Sequence, residues 1–170
     1  MKTLIAYFSR AGENYFGGSI KFLKKGNNEV LAEKLKVLLP NADLFKIEPQ
    51  KPYSDDYTTC IEQAKLDLQK KVRPALKHTL DSISQYEKIY LIYPIYWGTF
   101  PVHVFTFLES YDLSGKIIVP IATHEGSGFG SSEVDLRKLL PHSKITQGAA
   151  IFGSKVGSAD SILKQLIQTN

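Results

Sequence analysis

A chain of 170 residues and 19.0 kDa, 43% hydrophobic and 22% charged, is long enough to bury about two thirds of its unfolded surface in one core, so a single domain over 1–170 is expected and disorder is excluded. The net charge of +4 is spread over scattered lysines, adjacent only at Lys24-Lys25 and Lys70-Lys71, and with no zinc-finger spacing or RNA-binding aromatic signature beside it no nucleic-acid partner is expected. No run approaches the roughly 18 apolar residues that span a bilayer, and the run from Leu4 to Phe8 is too short for a signal-peptide core, so neither membrane insertion nor export is expected, and the location expected is cytoplasmic.

In chain order, residues 3–8 read as a strand, and residues 12–27, with Gly17-Gly18 and Gly26, as an unusually long loop. A helix follows over 28–39, with Val30, Leu31, Leu35, Leu38 and Leu39 on its buried stripe and Glu33, Lys34 and Lys36 facing water. Pro40 ends it. Residues 43–47 form the second strand, residues 49–55 a second long connection, and residues 56–72 a helix. This helix contains Cys60, whose solitude excludes an internal disulfide and which reads as a small buried hydrophobe.

The third strand is 88–93, and Tyr93-Pro94-Ile95-Tyr96-Trp97-Gly98-Thr99 follows it directly. Thr99 is a candidate N-cap for a helix over 101–110 with Pro101 in its first turn. The fourth strand, 116–122, contains Pro120, which lacks a ladder donor and so demands irregular pairing there. After it come Thr123-His124-Glu125-Gly126-Ser127-Gly128-Phe129-Gly130, a helix over 131–140 ended by Pro141, a fifth strand over 144–152 and a last helix over 158–168. Strand and helix alternate throughout, which predicts an α/β fold whose parallel sheet is covered on both faces.

Several familiar chemistries fail on spacing. Residues 12–19 have the glycine spacing of a Walker A loop, but Gly18 stands where the phosphate-binding lysine is required. Residues 126–131 match a dinucleotide fingerprint only in part, because Ser131 replaces its third glycine and the loop follows a late strand. No serine sits in a G-x-S-x-G elbow, and no histidine has a partner at metal-ligand spacing.

What remains lies at strand ends. Ser9-Arg10-Ala11-Gly12 after the first strand, with Gly26-Asn27-Asn28 opening the helix, suits an anion at a helix N-terminus, the alternative being simple capping by Asn27 or Asn28. Tyr96 and Trp97 either pack in the core or, since Pro94 and Gly98 break helix and strand, stand on a rim loop as the wall of a flat-ring site.

A phosphate-type loop after strand one, an aromatic loop after strand three and a glycine loop after strand four together resemble the flavodoxin-like FMN-binding family over nearly the whole chain. The resemblance implies a three-layer, doubly wound, five-stranded parallel sheet in the order 2-1-3-4-5 with FMN at the switch between the first and third strands. It places Ser9, Ala11, Asn27 and Asn28 at the phosphate. Pro94, Ile95, Tyr96, Trp97 and Gly98 fall on one side of the ring, and Thr123, His124, Gly126, Ser127, Gly128, Phe129 and Gly130 on the other. It also implies a Gly98 carbonyl able to turn toward the ring, and no catalytic residue of the protein's own. Three roles follow: an electron carrier between redox partner proteins, an NAD(P)H-dependent FMN reductase acting on quinones or similar small acceptors, and a flavin-binding protein without catalysis. Asn28 stands where the family usually has threonine, and the basic charge contrasts with the family's acidic electron carriers.

Overall fold

Alternation along the central strands decides the layering. In the computed structural model, which describes residues 2–170, strands β1 (Lys2–Tyr7) and β5 (Tyr86–Pro94) send Leu4, Ala6, Ile89, Leu91 and Tyr93 to one face and Ile5, Tyr90 and Ile92 to the other, all of them buried. Burial on both faces is why these runs read as continuously apolar. Helices α3 (Val102–Glu109) and α4 (Ser132–Leu139) close the first face with Val104, Phe107, Leu108 and Leu136. The second is closed by α1 (Asn27–Leu38) and α5 (Asp160–Thr169) with Leu31, Ala32, Leu35, Leu163 and Leu166. No helix among the described residues is long and apolar enough to cross a membrane.

The sheet is parallel, in the order β4 (Asp43–Lys46), β1, β5, β6 (Ile117–His124), β7 (Lys144–Ile145), which is the expected 2-1-3-4-5. The fifth strand is broken in two. β7 pairs with Ile117 and Ile118, and β8 (Ala149–Phe152) pairs with β6 again from Ile121 to His124. Pro120 lies between the two pairings, while its register with Leu91 on the other side is undisturbed. A proline has no N–H to offer the fifth strand, so the ladder stops and resumes around it.

Residues 12–27 do not form the loop expected from sequence. Strands β2 (Gly12–Phe16) and β3 (Ser19–Leu23) make an antiparallel hairpin closed by Gly17 and Gly18, both at positive φ (62° and 96°). Two glycines in that conformation are the type I′ turn that matches strand twist. A second correction concerns Thr99. The N-cap of α3 is Pro101, without a side-chain bond, while the Thr99 hydroxyl donates to Asp135 on α4 at 2.7 Å.

Candidate functional site

An open cleft of about 340 Å³ lies at the carboxyl ends of β1, β5 and β6. Its walls are built by Pro94, Ile95, Tyr96 and Trp97 after β5, by Thr123, His124 and Glu125 at the end of β6, and by Asn27 at the start of α1. Eight further lining residues come from elsewhere: Arg10, Asn14 and Tyr15 from β1's exit and the hairpin, Tyr57, Cys60, Ile61 and Ala64 from α2 (Tyr57–Gln69), and Gly153.

Trp97 settles the choice between core and rim. It is 48% exposed, so packing does not hold it; hydrogen bonds do. Tyr96 N–H donates to the Thr99 carbonyl at 2.7 Å, and Trp97 and Gly98 between them have φ of 53° and 84°, again a type I′ turn, with a bulky residue where glycine or asparagine is usual. The indole N–H donates to the Ile61 carbonyl at 2.8 Å, and the Lys65 ammonium stands 5.1 Å from the ring centroid. The turn thus presents an aromatic face at the cleft and ties it to α2. Nothing lies within 4 Å of where a Cβ on Gly98 would stand, so glycine is needed there for its backbone angle and not for room.

At the other end of the cleft α1 starts without a capping side chain of its own, because its N-cap is Gly26. Ser9 supplies the cap from β1's exit: its hydroxyl accepts the Glu29 N–H at 3.0 Å. A Cβ on Gly26 would lie 2.2 Å from that oxygen and 2.7 Å from the Arg10 carbonyl, so glycine lets the two segments touch. Asn28 is buried behind the cleft. Its amide donates to the Phe8 carbonyl at 2.9 Å and its oxygen accepts from the Thr123 hydroxyl at 2.7 Å, joining the ends of β1 and β6 through α1. Of the four residues assigned to the phosphate, only Asn27 lines the cleft; Ser9, Ala11 and Asn28 do not. Asn28→Ala is expected to cost about 2 kcal/mol by leaving two buried partners unpaired. Urea denaturation should show that loss, and unchanged stability would mean water replaces the amide.

The glycine loop also sits differently from expectation. Gly126, Ser127, Gly128, Phe129 and Gly130 do not line the cleft, and the end of the loop, Gly130 with Ser131, backs the Trp97-Gly98 turn. Ser131 donates its N–H and hydroxyl to the Gly98 carbonyl at 2.7 and 3.0 Å, and a Cβ on Gly130 would meet that carbonyl at 2.3 Å. The Gly98 carbonyl is therefore held away from the cleft. His124 accepts the Gly126 N–H at 2.9 Å and packs its ring 4.6 Å from that of Phe152.

The hairpin is fixed to α2. The Arg10 guanidinium donates to the carbonyls of Glu13, Ser54 and Asp55, the Glu13 carboxylate accepts the Tyr57 N–H at 2.9 Å, and the rings of Tyr15 and Tyr57 lie 6.4 Å apart. Burial raises the pKa of Tyr57, Cys60 and Tyr96, and the Arg10 charge opposes each shift. All three are neutral near pH 7. No group of three or more metal-ligating side chains occurs among the described residues. The cleft is thus a slot walled mainly by aromatic and aliphatic side chains, with one fixed cation, a helix N-terminus at its end and the Glu125 carboxylate turned to the Ser154 N–H, which fits a flat ring carrying a single anionic tail.

The flavodoxin family's sequence profile matches residues 2–169. Among solved structures, a protein from Bacteroides eggerthii described as a candidate flavoprotein is 28% identical, with a TM-score of 0.72 over 96% of this chain and 98% of its own. A flavoprotein from Lactobacillus acidophilus in complex with FMN is 17% identical, with a TM-score of 0.64 over 92% and 96%. The apo form of an NADH:FMN oxidoreductase is 18% identical, with a TM-score of 0.57 over 99% and 86%. No curated protein matches. A profile match over almost every residue, on a sheet of this order with a cleft at its switch point, shows that the chain belongs to the flavodoxin family.

Proposed function

We propose that this protein binds FMN in the cleft and carries electrons between redox partner proteins. The observation that carries the reading is the type I′ turn that holds the half-exposed Trp97 at the mouth of a mainly apolar slot. Such a wall stacks on an isoalloxazine while leaving its edge open to a partner. Tyr96 and Ile95 continue that wall, Thr123 and His124 face it, and the phosphate sits at the first turn of α1, where Asn27 and unpaired amides are available. A monophosphate suits that single helix end, so FMN is preferred over FAD or riboflavin. Bound there, FMN supplies the one- and two-electron chemistry, and the chain positions the ring and excludes water from its buried side.

Flavin fluorescence should fall when FMN is added and recover in part in Trp97→Ala. Loss of one stacking face costs about 1 kcal/mol, so binding should weaken several-fold with the fold intact. Unchanged affinity would remove Trp97 from the site. The exposed Tyr15 beside Tyr57 favours a second reading, in which a flat small acceptor enters and the protein reduces quinones with NAD(P)H. Steady-state NAD(P)H oxidation in the presence of a quinone separates the two, because a pure carrier shows none.

A further inference from the structure

Among the described residues Arg10 is the one lysine or arginine lining the cleft, and its position is fixed more firmly than that of a surface arginine. Its two terminal nitrogens are committed to main-chain oxygens, one to Glu13 and the other to Ser54 at 2.7 Å and Asp55 at 2.9 Å. Its Nε is buried and has no partner. With that nitrogen closed off and the other two tied to the main chain, the guanidinium is held in one place and acts on the cleft through its charge.

The direction of the guanidinium decides which part of the ligand that charge meets. The backbone of Arg10 lies against Gly26 at the N-terminus of α1, but the carbonyls its guanidinium grips belong to the hairpin base and to the residues before α2, the helix to which Trp97 is tied through Ile61. Its charge acts on Tyr57, Cys60 and Tyr96, which line that half of the cleft, and on Asp56 at the start of α2. The guanidinium is therefore anchored on the α2 side of the cleft, where the aromatic wall is, although the residue's backbone borders the helix end.

We propose that Arg10 stabilises the reduced, anionic isoalloxazine and so sets the two-electron potential of the bound flavin, an inference that rests on the FMN reading. Two-electron reduction takes up two electrons and one proton, at N5, and leaves one negative charge shared by N1 and the C2 carbonyl. A fixed cation beside that charge favours the reduced form over the neutral oxidised one. Electrons come from the external donor in every case.

The test compares FMN-loaded protein with Arg10→Lys and Arg10→Gln, reading the potential against a reference dye and the dissociation constants of oxidised FMN and riboflavin. Arg10→Gln should lose about tenfold in the preference for reduced over oxidised FMN, equal to about 30 mV in a two-electron potential, while Arg10→Lys, which keeps the charge, stays within about threefold of the unmutated protein. Equal shifts in both variants would show that Arg10 acts only by clamping the loops. An unchanged potential with weaker binding of FMN but not riboflavin would make it a phosphate contact, and either result overturns the proposal. The unmutated protein gives a second reading that needs no variant. A reduced ring kept anionic takes up one proton for two electrons, so the potential should fall by about 30 mV per pH unit down to pH 6, and a slope of about 60 mV there would overturn the proposal. Failure of the FMN reading looks different: the unmutated protein would bind neither flavin.

Discussion

Gly148→Ala is expected to destabilise the protein by about 3 kcal/mol, the upper end of the range for an overpacked interior site. A Cβ at this position would stand 1.9 Å from the Pro120 carbonyl oxygen and 2.8 Å from its ring. Neither atom can retreat. Pro120 lies in β6 in unbroken register with β5 from Lys88 to Pro94, so moving its carbonyl displaces the centre of the sheet. The proline brought its neighbour to glycine: where the ladder to the fifth strand lapses, the chain between β7 and β8 passes close against the bare backbone of β6, and only a residue without a side chain fits. Gly157→Ala is the control, since nothing lies within 4 Å of that position. Urea midpoints of the two variants should differ clearly, and a Gly148→Ala protein as stable as the control would mean that the gap beside Pro120 is wider than described.

The same junction shows why the fold was readable and where reading ended. A proline inside an apolar strand announces irregular pairing, and alternating strands and helices announce a parallel sheet, because both are local consequences of a missing donor and of burial on two faces. That the irregularity splits the fifth strand, and that Gly148 makes room for it, depends on which strand lies next to β6, a tertiary fact. The hairpin was missed for a different reason. Gly17-Gly18 between short β-prone runs is a hairpin signal, but β3 is exposed along most of its length, and its strands lack the buried alternation that marked the others.

The aromatic half of the site was legible because it is contiguous. Pro94 through Trp97 leave a buried strand together, and Pro and Gly at either end force them onto the rim. The phosphate half was legible only as a place. Ser9 and Asn28 are near it, but their polar atoms serve Glu29, Phe8 and Thr123, and no local pattern distinguishes a side chain that binds a ligand from one that holds two strand ends together. Arg10 lies in the segment read as suited to an anion, but that its side chain reaches across to α2 depends on long-range contacts, as does the arrival of Tyr15 and Tyr57 at the cleft. Cys60 reads as a small buried hydrophobe, and in the structure it and Ala64 form the buried side of α2; that this side faces a cleft is visible only in three dimensions.

Stability should fall as the pH is lowered from about 6.5 to 4, and most of that fall should disappear in His103→Phe. His103 is 1% exposed, stacked 5.4 Å from Phe8 and edge-on 5.2 Å from Tyr53, with its Nδ1 buried and without a partner. Burial lowers its pKa from 6.5 to about 4, against a smaller opposing pull from Asp67. The sign follows from proton counting. Between those values the unfolded chain binds a proton that the folded one refuses, so each step down in pH favours unfolding, to a total of about 3 kcal/mol at the acid end. The carboxylates that the fold holds below their ordinary pKa, Asp43, Asp56, Asp112 and Asp160, are exposed and titrate below pH 4, so they do not act in this window. Phenylalanine keeps the ring stack on Phe8 and removes both the titration and the unpaired nitrogen, so His103→Phe should be no less stable at pH 7 and clearly more stable at pH 4.5. Parallel urea titrations at the two values check it, and an equal loss in both proteins would show that His103 is not the group that refuses the proton.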